Sequence, residues 1–214
     1  MTESKKAKKK IKKDKKMITP YFKHKDFELF KANSLEFLAT LKENSVDMIF
    51  ADPPYLLSSG GFTCDGGKMV SVNKGQWDVS NGLKKDFEFH LAWTQACHRV
   101  LKPGGTLWVS GTYHSIYQCG FALQVNKFHI LNDIAWFKPN ASPNLSCRFF
   151  TASHETIVWG RKDKKAKHIF NYDLMVFLTQ SRNSVFISSS YSFSTRRLNS
   201  SLDRNARTNL RFLV

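Results

Sequence analysis

Val46-Asp47-Met48-Ile49-Phe50-Ala51-Asp52-Pro53-Pro54-Tyr55 is the stretch that decides how this chain is read. Its opening half is short and mostly apolar, as in a buried strand, and it delivers an acid, two prolines and an aromatic at its carboxyl end. Ligands of open α/β sheets bind at that end of the strands. Proline fixes φ and has no N–H, so the turn is stiff and its carbonyls are free to accept hydrogen bonds. A tyrosine beside such acceptors can stack on a flat ring while the acceptors hold an exocyclic amino group. These are the parts of a nucleobase pocket. The plainer alternative is a tight turn after a core strand.

Upstream, Phe27-Glu28-Leu29-Phe30-Lys31 alternates as a strand does. Asn33-Ser34 offers a helix cap before Leu35, Phe37, Leu38 and Leu41 at helical spacing. With the strand into Asp52 this predicts a β-α-β unit of parallel strands. Downstream, Leu56 to Trp77 reads as a long, polar, Gly-rich loop. Such a loop inside a compact domain is functional or disordered: it either closes over a ligand at the pocket or is a surface loop without a role. Phe87 to Leu101 carries Phe87, Leu91, Trp93, Val100 and Leu101 at helical spacing, ends at Lys102-Pro103-Gly104-Gly105, and leads into a buried strand, Thr106 to Ser110. A helix over Ile116 to Phe128 and a strand over Ile130 to Phe137 follow. Lys138-Pro139-Asn140-Ala141-Ser142-Pro143-Asn144 is then a loop, and Arg148-Phe149-Phe150 leads into a late strand, His154 to Gly160.

At 214 residues the chain is long enough for one domain with a substantial core. It has no apolar run of the length a transmembrane helix needs, and its Lys-rich start lacks the apolar core of a signal peptide. Cys64, Cys97, Cys119 and Cys147 are scattered without paired metal spacing and read as reduced thiols of a cytoplasmic protein. The net charge is +16, much of it between Lys5 and Lys16. That block repels itself and is expected to be disordered over residues 1–20, either as an arm on a phosphate backbone or as a solubilising tail. The basic character persists beyond it, which favours a polyanionic partner.

Asp52-Pro53-Pro54-Tyr55 after an apolar strand, the helix, Pro-Gly-Gly turn and strand, Trp136-Phe137-Lys138 with its Pro/Asn-rich loop, and His154-Glu155 before an apolar strand resemble, in this order, the motifs of amino-methyltransferases that act on DNA with S-adenosylmethionine. The resemblance covers roughly residues 27–175. It implies an α/β fold, a Rossmann-like methyltransferase sheet with flanking helices, and methylation of adenine N6 in a restriction–modification setting. Cytosine-N4 methylation, an RNA amino-methyltransferase and a non-catalytic DNA-binding remnant are the alternatives. It assigns catalysis to Asp52, Pro53, Pro54 and Tyr55, cofactor binding to Asn33 and Asp52, and DNA contacts to Lys138, Asn140, Ser142, Asn144, Arg148 and His154. The implied cofactor is S-adenosyl-L-methionine, with no metal. The implied partner is double-stranded DNA with a flipped target base; no membrane is involved, and a homodimer and a cognate restriction endonuclease are admitted.

Three departures stand out. Ala32-Asn33 occupies the place where many relatives have Gly-Asp, near the cofactor adenine. No Phe-x-Gly-x-Gly element, which would line the cofactor's methionine portion, occurs anywhere, and neither does Gly-x-Gly-x-x-Gly. The catalytic motif comes early, as in the permuted class in which the cofactor half follows, and that half is expected from about Met175. Instead there is no glycine after Gly160, no proline after Pro143 and no lysine after Lys167, while arginine and serine take over. Residues 21–175 are therefore expected to form the catalytic half of the domain. Residues 176–214 are an anomalous Arg/Ser-rich tail, either translated out of frame, leaving the fold incomplete at the C-terminus, or genuine and in contact with nucleic acid.

Overall fold

The computed structural model describes residues 18–66, 68–144, 146–173 and 212–213. Residues 1–17, and with them most of the Lys-rich segment, lie outside this range, as does the Arg/Ser-rich tail apart from Phe212–Leu213. The chain divides into two compact units, Met1–Lys42 and Glu43–Val214.

In the first unit, β1 (Phe22–Lys23) pairs antiparallel with β2 (Glu28–Leu29). The Lys23–Glu28 ion pair, at 2.7 Å, joins register partners across this hairpin. Helix α1 (Ser34–Thr40) begins as its sequence suggests: the Asn33 side-chain oxygen accepts from the N–H groups of Leu35 (3.0 Å) and Glu36 (3.3 Å). That satisfies donors that a helix start leaves without partners. The expected parallel β-α-β unit does not form, because among the described residues β2 pairs only with β1. Its alternation is real, but two hydrogen-bonded residues form a hairpin arm rather than a sheet strand.

Among the described residues, the second unit is built on a five-stranded sheet of order β7-β8-β6-β3-β9. Its members are β3 (Val46–Ala51), β6 (Leu101–Gly111), β7 (His129–Phe137), β8 (His154–Arg161) and β9 (Phe212–Leu213). Strands β6 and β9 run parallel to β3, whereas β8 is antiparallel to both β6 and β7. Between β3 and α2 (Leu83–Val100) lie the hairpin β4 (Phe62–Asp65)–β5 (Lys68–Ser71) and a single 3-10 turn, Gln76–Asp78. The Gly-rich stretch expected to be a loop thus folds in its middle, with Gly66 at the hairpin turn.

Helix α2 packs on α3 (Ile116–Val125). Trp93, Cys97 and Val100 of α2, with Ile116, Cys119, Ala122 and Leu123 of α3, join Ile49, Leu101, Leu107 and Val109 of the sheet in the buried core. Burial raises the Cys97 and Cys119 thiols to about 12, so both stay protonated. His90 is also buried; its Nδ1 accepts from Trp93 Nε1 at 3.1 Å, and burial lowers its pKa to about 4. Trp108 and Trp159 are register partners on β6 and β8 and stack with ring centroids 4.6 Å apart. Lys162 Nζ donates to Leu101 O and Asn44 Oδ1, both at 2.8 Å, which seats a cation at the carboxyl end of α2.

Pro103-Gly104-Gly105 is not the separate turn its composition suggests but an irregularity inside β6. Between the pairs Val46↔Leu101 and Met48↔Thr106 the register advances two residues on β3 and five on β6. The glycines let backbone pass close by: a Cβ on Gly104 would lie 2.3 Å from the Lys167 carbonyl, and one on Gly105 3.1 Å from the Asp47 carbonyl.

Candidate active site

The topology gathers the candidate residues of the second unit at one edge of the sheet. Ala51 pairs with Val109, so Asp52 and Ser110 leave the carboxyl ends of β3 and β6 together. Strand β8 runs the other way, so its first residues, His154 and Glu155, reach this same edge opposite Phe137 and Trp136 at the end of β7. Ser110, almost fully buried, donates to Asp52 Oδ1 at 2.6 Å and to Ala51 O at 3.3 Å. A buried hydroxyl therefore aims the carboxylate, while Asp52 as a residue stays exposed.

Tyr55 is half-buried, and its O–H donates to Glu155 Oε2 at 3.3 Å. Burial raises the phenol's pKa well above its ordinary value; the Ser110 hydroxyl opposes this, and the Asp52 and Glu155 carboxylates add to it. Tyr55 is thus a neutral donor with its ring fixed at one end. Lys74 Nζ lies 5.5 Å from the ring centroid. On the far side of Glu155, Lys138 Nζ bonds to Oε1 and sits 4.9 Å from the Trp136 ring centroid.

The turn after Tyr55 is held by a residue far along the chain. Asp78, fully buried, accepts with Oδ1 from Leu56 N (2.8 Å) and with Oδ2 from Leu57 N (3.1 Å), Ser58 N (3.1 Å) and Ser58 Oγ (2.9 Å). Leu56 has φ of 62°, left-handed backbone that a branched side chain adopts at a cost of about 1–2 kcal/mol. Strain of this kind persists only where the surroundings over-determine it, and here one carboxylate does so.

Among the remaining candidates, the structure unites Lys138 with the Asp52–Tyr55 turn through Glu155. His154 is exposed at the start of β8, and Asn140, Ser142 and Arg148 are exposed on the segment joining β7 to β8. Asn144 is committed to that segment's own shape: its Nδ2 donates to Phe149 O at 2.6 Å and its Oδ1 accepts from Ser146 N at 3.1 Å. Asn33 caps α1 in the first unit. Ser110, Asp78 and Lys74 stand at the candidate site although sequence reasoning did not single them out, and Glu155 entered it only as part of the His154-Glu155 motif. Glu155 stands in a quoted motif and Ser110 at a predicted strand end, so both had a signal; Asp78 and Lys74 had none.

A family model described as DNA methylase, covering N6 and N4 methyltransferases, matches residues 46–204. This chain belongs to that DNA methylase family. The match begins at the first residue of β3 and runs on into the Arg/Ser-rich segment. The type II methyltransferase M2.DpnII of Streptococcus pneumoniae is 51% identical over 160 residues, which is 74% of this chain and 60% of that protein. The type II methyltransferase M2.MboI of Moraxella bovis is 47% identical over 160 residues, 74% of this chain and 59% of that protein. The chain therefore spans about 60% of the length of the curated relatives it matches. The PvuII DNA methyltransferase, described as cytosine-N4-specific, superposes with a TM-score of 0.52 at 18% identity, covering 68% of this chain and 52% of that one. That likeness shows the fold: the methylase chain has the α/β sheet with flanking helices. Among its described residues no helix is long and apolar enough to cross a membrane.

Proposed function

We propose that this DNA methylase chain holds an extruded adenine of double-stranded DNA for methylation at N6, in a system of restriction–modification type. The observation that carries the reading is the arrangement at the sheet edge: an oriented, accessible carboxylate at Asp52, a turn of two prolines, and a tyrosine ring held by its hydroxyl. A base inside a duplex must leave the stack before its amino group can be reached. The N6 lone pair is delocalised into the ring and is a poor nucleophile. Asp52 and the Pro53 carbonyl would accept the amino hydrogens and localise that lone pair, while the extruded ring stacks on Tyr55, a contact worth about 1–3 kcal/mol. Placement and fixed dipoles then supply most of the catalysis. Asp rather than Ser at the first motif position is what, by resemblance, favours adenine over cytosine.

The methyl donor implied by the resemblance is S-adenosylmethionine, whose sulfonium supplies an electrophilic methyl group. The residues present fit the base better than they fit this donor. The Asn33 oxygen is taken up by the α1 cap, and no Phe-x-Gly-x-Gly occurs in the sequence, so these residues alone do not make up a cofactor site. The Asn33 oxygen spent on the cap favours a second reading, a chain that holds a base without methylating it.

Incubation of unmethylated genomic DNA with methyl-labelled S-adenosylmethionine, followed by nucleoside analysis, tests the proposal. The expected product is N6-methyladenine, lost in Asp52→Ala while DNA affinity is retained. N4-methylcytosine would overturn the choice of base. DNA binding without label transfer, and without cofactor binding by calorimetry, would establish the second reading.

A further inference from the structure

Glu155 lies 100 residues from Tyr55 in sequence and touches both halves of the site. Its side chain is 14% exposed, and each of its oxygens has a separate task. Oε2 accepts the Tyr55 O–H, and Oε1 takes the Lys138 ammonium. Lys138 opens the segment between β7 and β8, and its backbone N–H donates to Ser153 O at 2.7 Å. The two ends of that segment are thus tied at a neck, by this bond and by the ion pair. Trp136, the register partner of Glu155, lies beneath the ammonium. A carboxylate so far removed from water is costly unless paired, and among the described residues the cation paired with it is the loop's own first residue.

We infer that Glu155 is a positioning residue: it fixes the orientation of the Tyr55 ring and couples that ring to the segment at 138–153, so that DNA drawn to the segment is felt at the base-stacking surface. The inference rests on the reading of Tyr55 as the surface that receives the base. A rigid carboxylate transmits in both directions. Pulling Lys138 toward a phosphate weakens the pair and frees Glu155 to shift, and the phenol bonded to its other oxygen shifts with it. Glutamine keeps an acceptor for the phenol but presents Lys138 with a neutral amide, so Glu155→Gln breaks the coupling at one end only.

The full chain labelled with 3-fluorotyrosine and titrated with a mixed-sequence 24-base-pair duplex provides the test by fluorine NMR, with Tyr55→Phe assigning the Tyr55 signal. The expected result is a DNA-induced shift of that signal in the wild type. Glu155→Gln and Lys138→Met should each reduce it at least twofold, and the double variant should reduce it no further than either single one. Anisotropy sets the duplex concentration at which each variant is saturated, so that shifts are compared in the bound state, and the other fluorotyrosine signals report that Glu155→Gln is folded. A wild-type response in Glu155→Gln, or additive losses in the double variant, would overturn the coupling while leaving the base-holding role of Tyr55 intact. A wild-type chain that binds the duplex with no change at Tyr55 would sink both.

Discussion

Asp78 shows what a single residue contributes to this site. Its carboxylate takes three consecutive backbone N–H groups and a hydroxyl of the turn that follows Asp52-Pro53-Pro54-Tyr55. Removing an acceptor strands those donors, and each stranded donor costs about 1–3 kcal/mol if no water reaches it. Asp78→Ala is accordingly expected to destabilise the fold by about 2–4 kcal/mol in urea denaturation. Asp78→Asn, which keeps one acceptor oxygen, should lie between it and the wild type, and a neutral Asp78→Ala would show that the turn holds itself. Asp52 and Tyr55 were legible in the sequence because a strand pattern runs directly into them. Asp78 was not, because its partners are backbone groups up to 22 positions away, and backbone groups leave no mark on residue type.

At the scale of elements, periodicity located α2, α3, β3 and β8 to within a few residues, since each contributes buried residues to the same core, and it located β7, whose residues are half-buried or exposed. The hairpin β4–β5 was missed although its signal was present: Phe62-Thr63-Cys64-Asp65 and Lys68-Met69-Val70-Ser71 flank a Gly-Gly pair. Glycine abundance suggested an open loop, whereas Gly66 serves a tight turn. The Pro-Gly-Gly stretch misled in the opposite sense, being taken into β6. What it needs is room for neighbouring backbone, and a contrast between two glycines measures that need. Gly104→Ala would place a Cβ 2.3 Å from the Lys167 carbonyl, whereas Gly120 in α3 has nothing within 4 Å. The first should lower stability by about 1–3 kcal/mol. The second should raise it by about 0.5–1 kcal/mol, because alanine restricts the unfolded chain more than glycine does. Equal melting temperatures for the two variants would refute the assignment.

For the whole molecule, charge and topology matter most. A net charge of +16 makes the binding of a polyanion largely a matter of counterion release. Affinity for duplex DNA is expected to fall by about a thousandfold between 50 and 200 mM salt if about six phosphates are contacted. A flat salt dependence in anisotropy titrations would contradict the proposed partner.

The sequence by itself determined the ordered motif series, the α/β class and the turn at the end of β3. These depend on local pattern: apolar periodicity, proline stiffness and residue types a few positions apart. Tertiary structure alone decided that β2 stays out of the main sheet and that β8 runs antiparallel to β6 and β7. That reversal of direction brings Glu155 to the end of the sheet where Asp52 and Tyr55 emerge. The reason is physical: strand direction and hydrogen-bond partners follow from which surfaces a folded chain can bury together, and that is a property of the whole chain.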